Sequence, residues 1–293
     1  MFPLRDHNPS LTTPWVTYAL LAANILIFLA YQPLTGEPYQ LMRFFQTWGM
    51  VPARVSMGEG WETLVTSQFL HGGWLHLGGN MLFLWIFGDN MEDEWGHLPF
   101  LLFYLVCGAA AAGLQLAAAP LSRTPMVGAS GAIAGVLGGY LLLFPRARVD
   151  VLIIIIFFIR IIALPAWVML GLWLIFQLLG GLGGPADGAG VAYWAHAGGF
   201  VVGLALTLPL WFLRGGPAYW HRTHGRPQNP DSRLVATPVP RVRRGPLRTA
   251  PDRDPDRPGG ASSPWGPPAR RGADTDDERR DITRIPRVPR RRR

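Results

Sequence analysis

The chain carries a single cysteine, Cys107, and no lysine. One thiol excludes a disulfide within the chain. Lying inside an apolar run, Cys107 is expected to be a small core side chain. The missing lysine, against 27 arginines, 35 glycines and 27 prolines, points to a GC-rich genome. Charge is scarce as well, at 16% of residues. No Asp or Glu occurs in the apolar stretches 165–184 and 191–213, and Asp187 lies between them. The long apolar runs lack period-2 alternation, which excludes a transmembrane β-barrel. No inverted repeat is visible, and no carboxylate lies in the interior of an apolar run, which speaks against a channel or transporter.

What is abundant is apolar and blocked. Hydrophobic residues make up 49% of the chain, and mean hydropathy is +0.19. Apolar runs fall near 15–34, 75–90, 98–119, 130–144, 165–184 and 191–213. Most reach the roughly 17–25 residues that cross a bilayer as a helix. In lipid only helices or closed barrels satisfy their own backbone. The expectation is an all-α membrane protein with six transmembrane helices. Residues 149–163, with their Ile153–Phe158 run, are short and β-branched, with Pro165 close behind. They read as an extended or interfacial segment leading into the fifth helix. The first apolar run lacks a small-residue cleavage site and is expected to stay as the first helix.

Charge divides the chain. Residues 214–293 hold 20 arginines and 9 acids, net +11; the remainder holds 7 arginines and 10 acids, net −3. The expected organisation is a short segment 1–14, a six-helix domain 15–213, and a disordered Arg/Pro-rich tail 214–293. The positive-inside bias puts the tail in the cytoplasm. Arg146, Arg148 and Arg160 belong on the same side, and so does Arg5. Both termini are then cytoplasmic, in a multi-pass plasma-membrane protein. The tail is either a solvated extension or a binder of anionic lipid through Arg243-Arg244 and Arg290–Arg293; its scattered charges, mixed with acids, do not call for nucleic acid.

Polar groups inside the apolar blocks carry the chemistry. Ser130 lies in Gly128-Ala129-Ser130-Gly131 at the start of the fourth run. His76 and Asn80 open the second, and His196 opens the sixth. With six spans, all four fall in the outer half of the membrane. Gly131, Gly135 and Gly139 recur every fourth residue, as do Ala195, Gly199 and Gly203. Such stripes let helices approach closely in lipid. Close approach would bring Ser130 Oγ to an imidazole nitrogen of His196, a nucleophile–base pair. A buried carboxylate is costly in lipid, so a Ser–His dyad is expected rather than a triad. His76 and Asn80, four apart, share a helical face and can both donate to an oxyanion, with the Ser130 amide as a third donor.

These residues carry a resemblance. The stretch Phe69-Leu70-His71-Gly72-Gly73-Trp74-Leu75-His76-Leu77-Gly78-Gly79-Asn80, then Gly128-Ala129-Ser130-Gly131, then Ala195-His196-Ala197-Gly198-Gly199, resembles the rhomboid intramembrane serine proteases over roughly residues 10–213. The resemblance implies a six-helix bundle with a half-embedded first outer loop, Ser130 as nucleophile and His196 as general base. It implies an oxyanion site from His76, Asn80 and the Ser130 amide. It further implies transmembrane protein substrates and no cofactor. Residues 35–62 would be the loop, with Trp48, Met50, Met57 and Trp61 as interfacial anchors. One departure stands out. Well-known bacterial members place an aromatic four residues after the nucleophile, stacked on the base; here Ala134 occupies that position, so another group must orient His196. His71 is expected to make a structural hydrogen bond, and Glu92 to bond a neighbouring helix. Trp167, Trp173 and Phe176 are expected to pack against lipid, or to form part of a lateral substrate gate.

Two other readings stay open on sequence. One is a zinc hydrolase with His71, His76 and His196 as ligands, although no His-Glu-x-x-His is present. The other is a non-catalytic rhomboid-like protein that binds membrane clients.

Overall fold

The computed structural model describes residues 2–8, 10–155, 158–183 and 192–227, all within one compact unit, Met1–Thr237. Asp187 and the arginine clusters of the tail lie outside the described residues. The chain begins with strand β1 (Phe2–Asp6), then α1 (Trp15–Tyr31) and a 3-10 turn. Three short helices follow, α2 (Pro38–Trp48), α3 (Pro52–Ser56) and α4 (Thr63–Thr66). Next come α5 (Trp74–Trp95), α6 (His97–Ala118) and α7 (Ser130–Leu143). Strands β2 (Arg148–Ile155) and β3 (Phe158–Pro165) lead into α8 (Ala166–Gly183), α9 (Tyr193–Leu213) and α10 (Pro217–Thr223).

Among the described residues, four helical stretches are long and apolar enough to cross a membrane: Trp15–Gly36, His97–Ala118, Ala166–Gly183 and Tyr193–Leu213. Helix α5 has 22 residues, but its last turns carry Asp89, Glu92, Asp93 and Glu94. Helix α7 has only 14 residues. At 1.5 Å per residue it spans about 21 Å, less than the ~30 Å of a hydrocarbon core. Eleven of its residues are buried, so protein rather than lipid surrounds it.

The chain is mostly helical, but the all-α expectation is corrected by a three-stranded antiparallel sheet in the order β1-β2-β3. The segment read as extended, 149–163, supplies most of β2 and β3, with Val151 opposite Ile162 and Leu152 opposite Ile161. What sequence reading missed is β1. It pairs with β2 from nearly 150 residues away, with Phe2 opposite Leu152 and Asp6 opposite Val149. Val149 and Val151 are fully buried against the bundle, whereas Ile159 and Ile161 of β3 are exposed. The tail boundary expected at 214 also falls inside ordered chain. Helix α10 folds back, and Trp220 Nε1 donates to Leu142 O at 2.9 Å.

Polar bonds tie the helix ends. Helix α1 follows Pro14 and has no side-chain cap of its own. Glu92 of α5 supplies one, accepting from Val16 N at 2.9 Å and from Thr17 N at 2.8 Å and Thr17 Oγ1 at 2.7 Å. This satisfies donors that a helix start leaves unpaired. Tyr140 of α7 donates to Asp6 Oδ2 and accepts from Asn8 Nδ2, both at 3.0 Å, which fastens β1 to the bundle.

The loop between α1 and α5 is helical. Amphipathic α2 has no buried side chain. Trp48, Met57 and Trp61 are exposed, as interfacial anchors would be, but Met50 is not: it is fully buried with Val55 and Ala112, and its backbone pairs with Met126.

Candidate active site

Among the described residues, the glycines of the seam between α7 and α9 make the closest approaches. A Cβ placed on Gly199 would come within 2.1 Å of Gly131 O, and one on Gly203 within 2.0 Å of Gly135 O. Gly138 adds a third contact, 2.1 Å from Phe200 O. The glycine stripes thus let the two backbones touch, and no other residue fits. Ser130 is the first residue of α7 and His196 the fourth of α9. The seam sets these ends side by side, with Ser130 Oγ 2.7 Å from His196 Nε2.

The other face of the imidazole meets α8. Gln177 Oε1 lies 2.8 Å from His196 Nδ1. Trp173, one turn earlier, sets its ring 5.9 Å from the imidazole, tilted by 33°. It also stacks on Phe200. An amide oxygen only accepts, so Nδ1 carries the ring proton and Nε2 presents its lone pair to Ser130 Oγ–H. Ala134 is fully buried in the α7–α9 seam, 3.3 Å from where a Gly199 Cβ would stand. An aromatic at 134 would fill space the glycines have emptied. The stack comes from α8 instead. Trp173 therefore faces the site rather than lipid, while Trp167 and Phe176 are exposed. Sequence reading missed Gln177, although a signal existed: it is the one polar side chain in the run Ala166–Gly183.

His76 and Asn80 arrive from α5. His76 Nδ1 accepts from Gly72 N at 3.3 Å, which leaves the proton on Nε2. That nitrogen is 2.8 Å from where a Cβ on Gly128 would stand. Gly128 has φ +131°, a conformation that favours glycine, and its N–H donates to Ser67 O at 2.9 Å. The turn into α7 is thus pinned with its first N–H groups unpaired by the helix itself. Asn80 is nearly buried, and its Nδ2 has no hydrogen-bond partner among the described residues. Such a group calls for a ligand or water. His71 is fully buried. Its backbone is clamped by Tyr31 Oη, which donates to His71 O at 2.8 Å and accepts from His71 N at 2.6 Å. Its ring meets His76 edge-on, with centroids 5.1 Å apart.

Ser130, His196, His76 and Asn80 line one cavity of about 880 Å³, with Gln68 and Trp173. The three histidines do not make a metal centre: among the described residues no group of three or more His, Cys, Asp or Glu is arranged to hold an ion. His196 is engaged on both nitrogens, by Ser130 and Gln177.

Comparison with known proteins agrees in extent with this region. The family model described as the Rhomboid domain matches residues 58–212. RHOMBOID-like protein 4 of Arabidopsis thaliana is 36% identical over 155 residues, covering 44% of this chain and 39% of that protein. The mitochondrial Rhomboid protein 1 of Saccharomyces cerevisiae is 33% identical over 139 residues, covering 46% and 38%. Rhomboid protease GluP of Bacillus subtilis is 34% identical over 128 residues, covering 44% and 24%. The similar stretch thus spans less than two-fifths of each relative's own length. With the family model matching over half of its length, the chain belongs to the rhomboid family.

Proposed function

We propose that the protein is an intramembrane serine endopeptidase that cleaves transmembrane segments of other membrane proteins. The single observation that carries the reading is Ser130 Oγ at 2.7 Å from His196 Nε2 beside an 880 Å³ cavity. Ser130 Oγ attacks the scissile carbonyl while His196 Nε2 takes its proton. The oxyanion of the tetrahedral adduct accepts from the Ser130 amide, His76 Nε2–H and Asn80 Nδ2. The proton then passes from His196 to the leaving amine as the C–N bond breaks. Water, deprotonated by His196, hydrolyses the acyl-enzyme and returns Ser130. The reading needs no cofactor. One of the relatives is named Rhomboid protease GluP.

The membrane arrangement belongs to the same proposal. Helices α1, α5, α6, α7, α8 and α9 cross the bilayer, with both termini in the cytoplasm. Short α7 fits because it is enclosed by protein. Residues 15–213 are the protease domain, preceded by a short cytoplasmic segment. The arginine-rich tail lies in the cytoplasm, where anionic lipid is its natural partner. Helix α2, with no buried residue, lies half-embedded in the outer leaflet of the plasma membrane. Water enters from that side.

The test is cleavage of a single-pass reporter by wild type, Ser130→Ala and His196→Ala in vesicles. Loss in both variants is expected; undiminished cleavage by either ends the proposal. Asn80→Ala should slow turnover by ~10²–10³-fold, or less where His76 covers for it. A protein that binds the reporter, leaves it intact and does not react with a fluorophosphonate would be the client-binding alternative.

A further inference from the structure

We infer that Gln177 is the positioning residue that holds His196 in the one tautomer able to act as a base. The inference rests on the serine-protease reading above. A neutral imidazole has one N–H. If that proton sits on Nδ1, Nε2 can accept from Ser130 Oγ–H. If it sits on Nε2, the ring donates to Ser130 and cannot activate it. Gln177 turns Oε1, an acceptor, toward Nδ1 at 2.8 Å and so stabilises the first state. The other tautomer would require the amide to turn over and donate its NH2 to Nδ1.

Position argues for orientation rather than substrate contact. Trp173 and His196 line the cavity, but Gln177 does not. It stands behind the ring, on the face of α8 that also supplies the Trp173 stack. The Ala134 position supplies no ring, and its place in the α7–α9 seam leaves no room for one. Two residues one turn apart on α8 thus replace what a single aromatic on α7 would do.

Chemistry explains an amide here. A carboxylate would stabilise the imidazolium as it forms, but ionised it would be costly within a span. An amide sets the tautomer without placing a charge in lipid. The ionisable neighbour of His196 from another helix is His76 on α5; Ser130 on α7 is uncharged, and Ala166–Gly183 contains no ionisable side chain. The imidazolium therefore forms without a counter-charge, and a carboxylate at 177 would make the ring more basic.

The experiment uses the full chain in vesicles with the reporter, and measures kcat, KM and the pH profile of kcat/KM for three proteins. Gln177→Leu, an apolar change suited to a span, should lower kcat by at least ~10-fold, within the ~10²–10⁴ that general-base catalysis supplies. KM should stay near wild type. Its Ser130 should also react more slowly with a fluorophosphonate. Gln177→Glu should keep more activity than Gln177→Leu and move the acidic limb of the profile to higher pH. Wild-type kcat and fluorophosphonate reactivity in Gln177→Leu would overturn the inference while leaving the protease reading intact. So would equal losses in both variants with an unmoved pH profile, because that is the behaviour of a packing residue. Should Gln177→Glu fail to fold, the kcat/KM split and labelling rate of Gln177→Leu decide. Wild-type cleavage that survives Ser130→Ala overturns the protease reading, and this inference with it.

Discussion

Helices α7 and α8 both meet His196, and they are held in opposite ways. Eleven of the 14 residues of α7 are buried, against four of the 18 in α8. Yet both are strongly apolar. In a membrane the lipid is as apolar as the protein interior, so hydrophobicity does not distinguish a lining helix from a central one. Side-chain size does. Helix α7 is rich in Gly and Ala and touches α9 backbone to backbone. Helix α8 carries Trp167, Ile175, Phe176 and Leu179 outward and meets the site through Trp173 and Gln177. Ser130, the proposed nucleophile, thus sits on the enclosed helix, and Trp173 and Gln177, which meet His196, sit on the exposed one.

The largest effect should come from breaking the tight side. In Gly203→Val the new side chain would meet Gly135 O and Cα, which are backbone and cannot swing away. Destabilisation of at least ~1–3 kcal/mol is expected, with cleavage lost as Ser130 and His196 part. The contrasting change is Gly171→Ala on α8, where a Cβ meets nothing within 4 Å. It should shift stability by less than ~0.5 kcal/mol. Thermal unfolding in detergent reads both, and equal effects would dissolve the contrast between the two helices.

Next in size is the joint between α1 and α5, which is polar rather than small-residue packing. Glu92→Ala strands the first donors of α1. A loss of ~1–3 kcal/mol is expected in the same measurement. A neutral result would mean that water replaces the cap.

A finer probe of the loose side is Trp173→Leu, which stays apolar but removes the ring from His196. Aromatic contacts of this kind are worth about 0.5–1.5 kcal/mol, so a kcat lower by roughly 2–10-fold is expected. No change would leave orientation of the base to Gln177 alone.

The smallest effect concerns pH at the sheet. Burial pushes the Asp6 carboxyl up to about 6 from its ordinary 3.8, against hydrogen bonds from Asn8 and Tyr140. The folded state then binds the proton more tightly than the unfolded state does. That contribution is fully present below about pH 4 and is lost as pH rises through about 6. Asp150 runs the other way: hydrogen bonds from His7 and Arg5 hold its carboxyl below the usual range, so its contribution is lost as pH falls. Asp6→Asn should remove the decline in melting temperature between pH 4 and 6, and an unchanged slope would remove Asp6 from the account.

Much of the site could be read from the chain. That Ser130, His196, His76 and Asn80 come together at one cavity was legible because polar groups in apolar runs are conspicuous. The two glycine stripes foretold which helices would touch. The extended character of 149–163 followed from its β-branched residues. Other features were hidden for physical reasons. Met50 looked like an interfacial anchor because nothing local reveals that Val55 and Ala112 enclose it. Strand β1 is too short to announce itself, and its partner β2 comes nearly 150 residues later in the chain.

The sequence by itself determined the apolar blocks, the small-residue stripes and the identity of the groups able to do chemistry, because these follow from side-chain type and period. Only the tertiary structure decided how His196 is held. Ala134 at the expected stacking position left that open, and Gln177 and Trp173 reach the ring from a helix 19 and 23 residues earlier in the chain. A hydrogen bond between side chains on different helices depends on how those helices pack, and no local pattern encodes it.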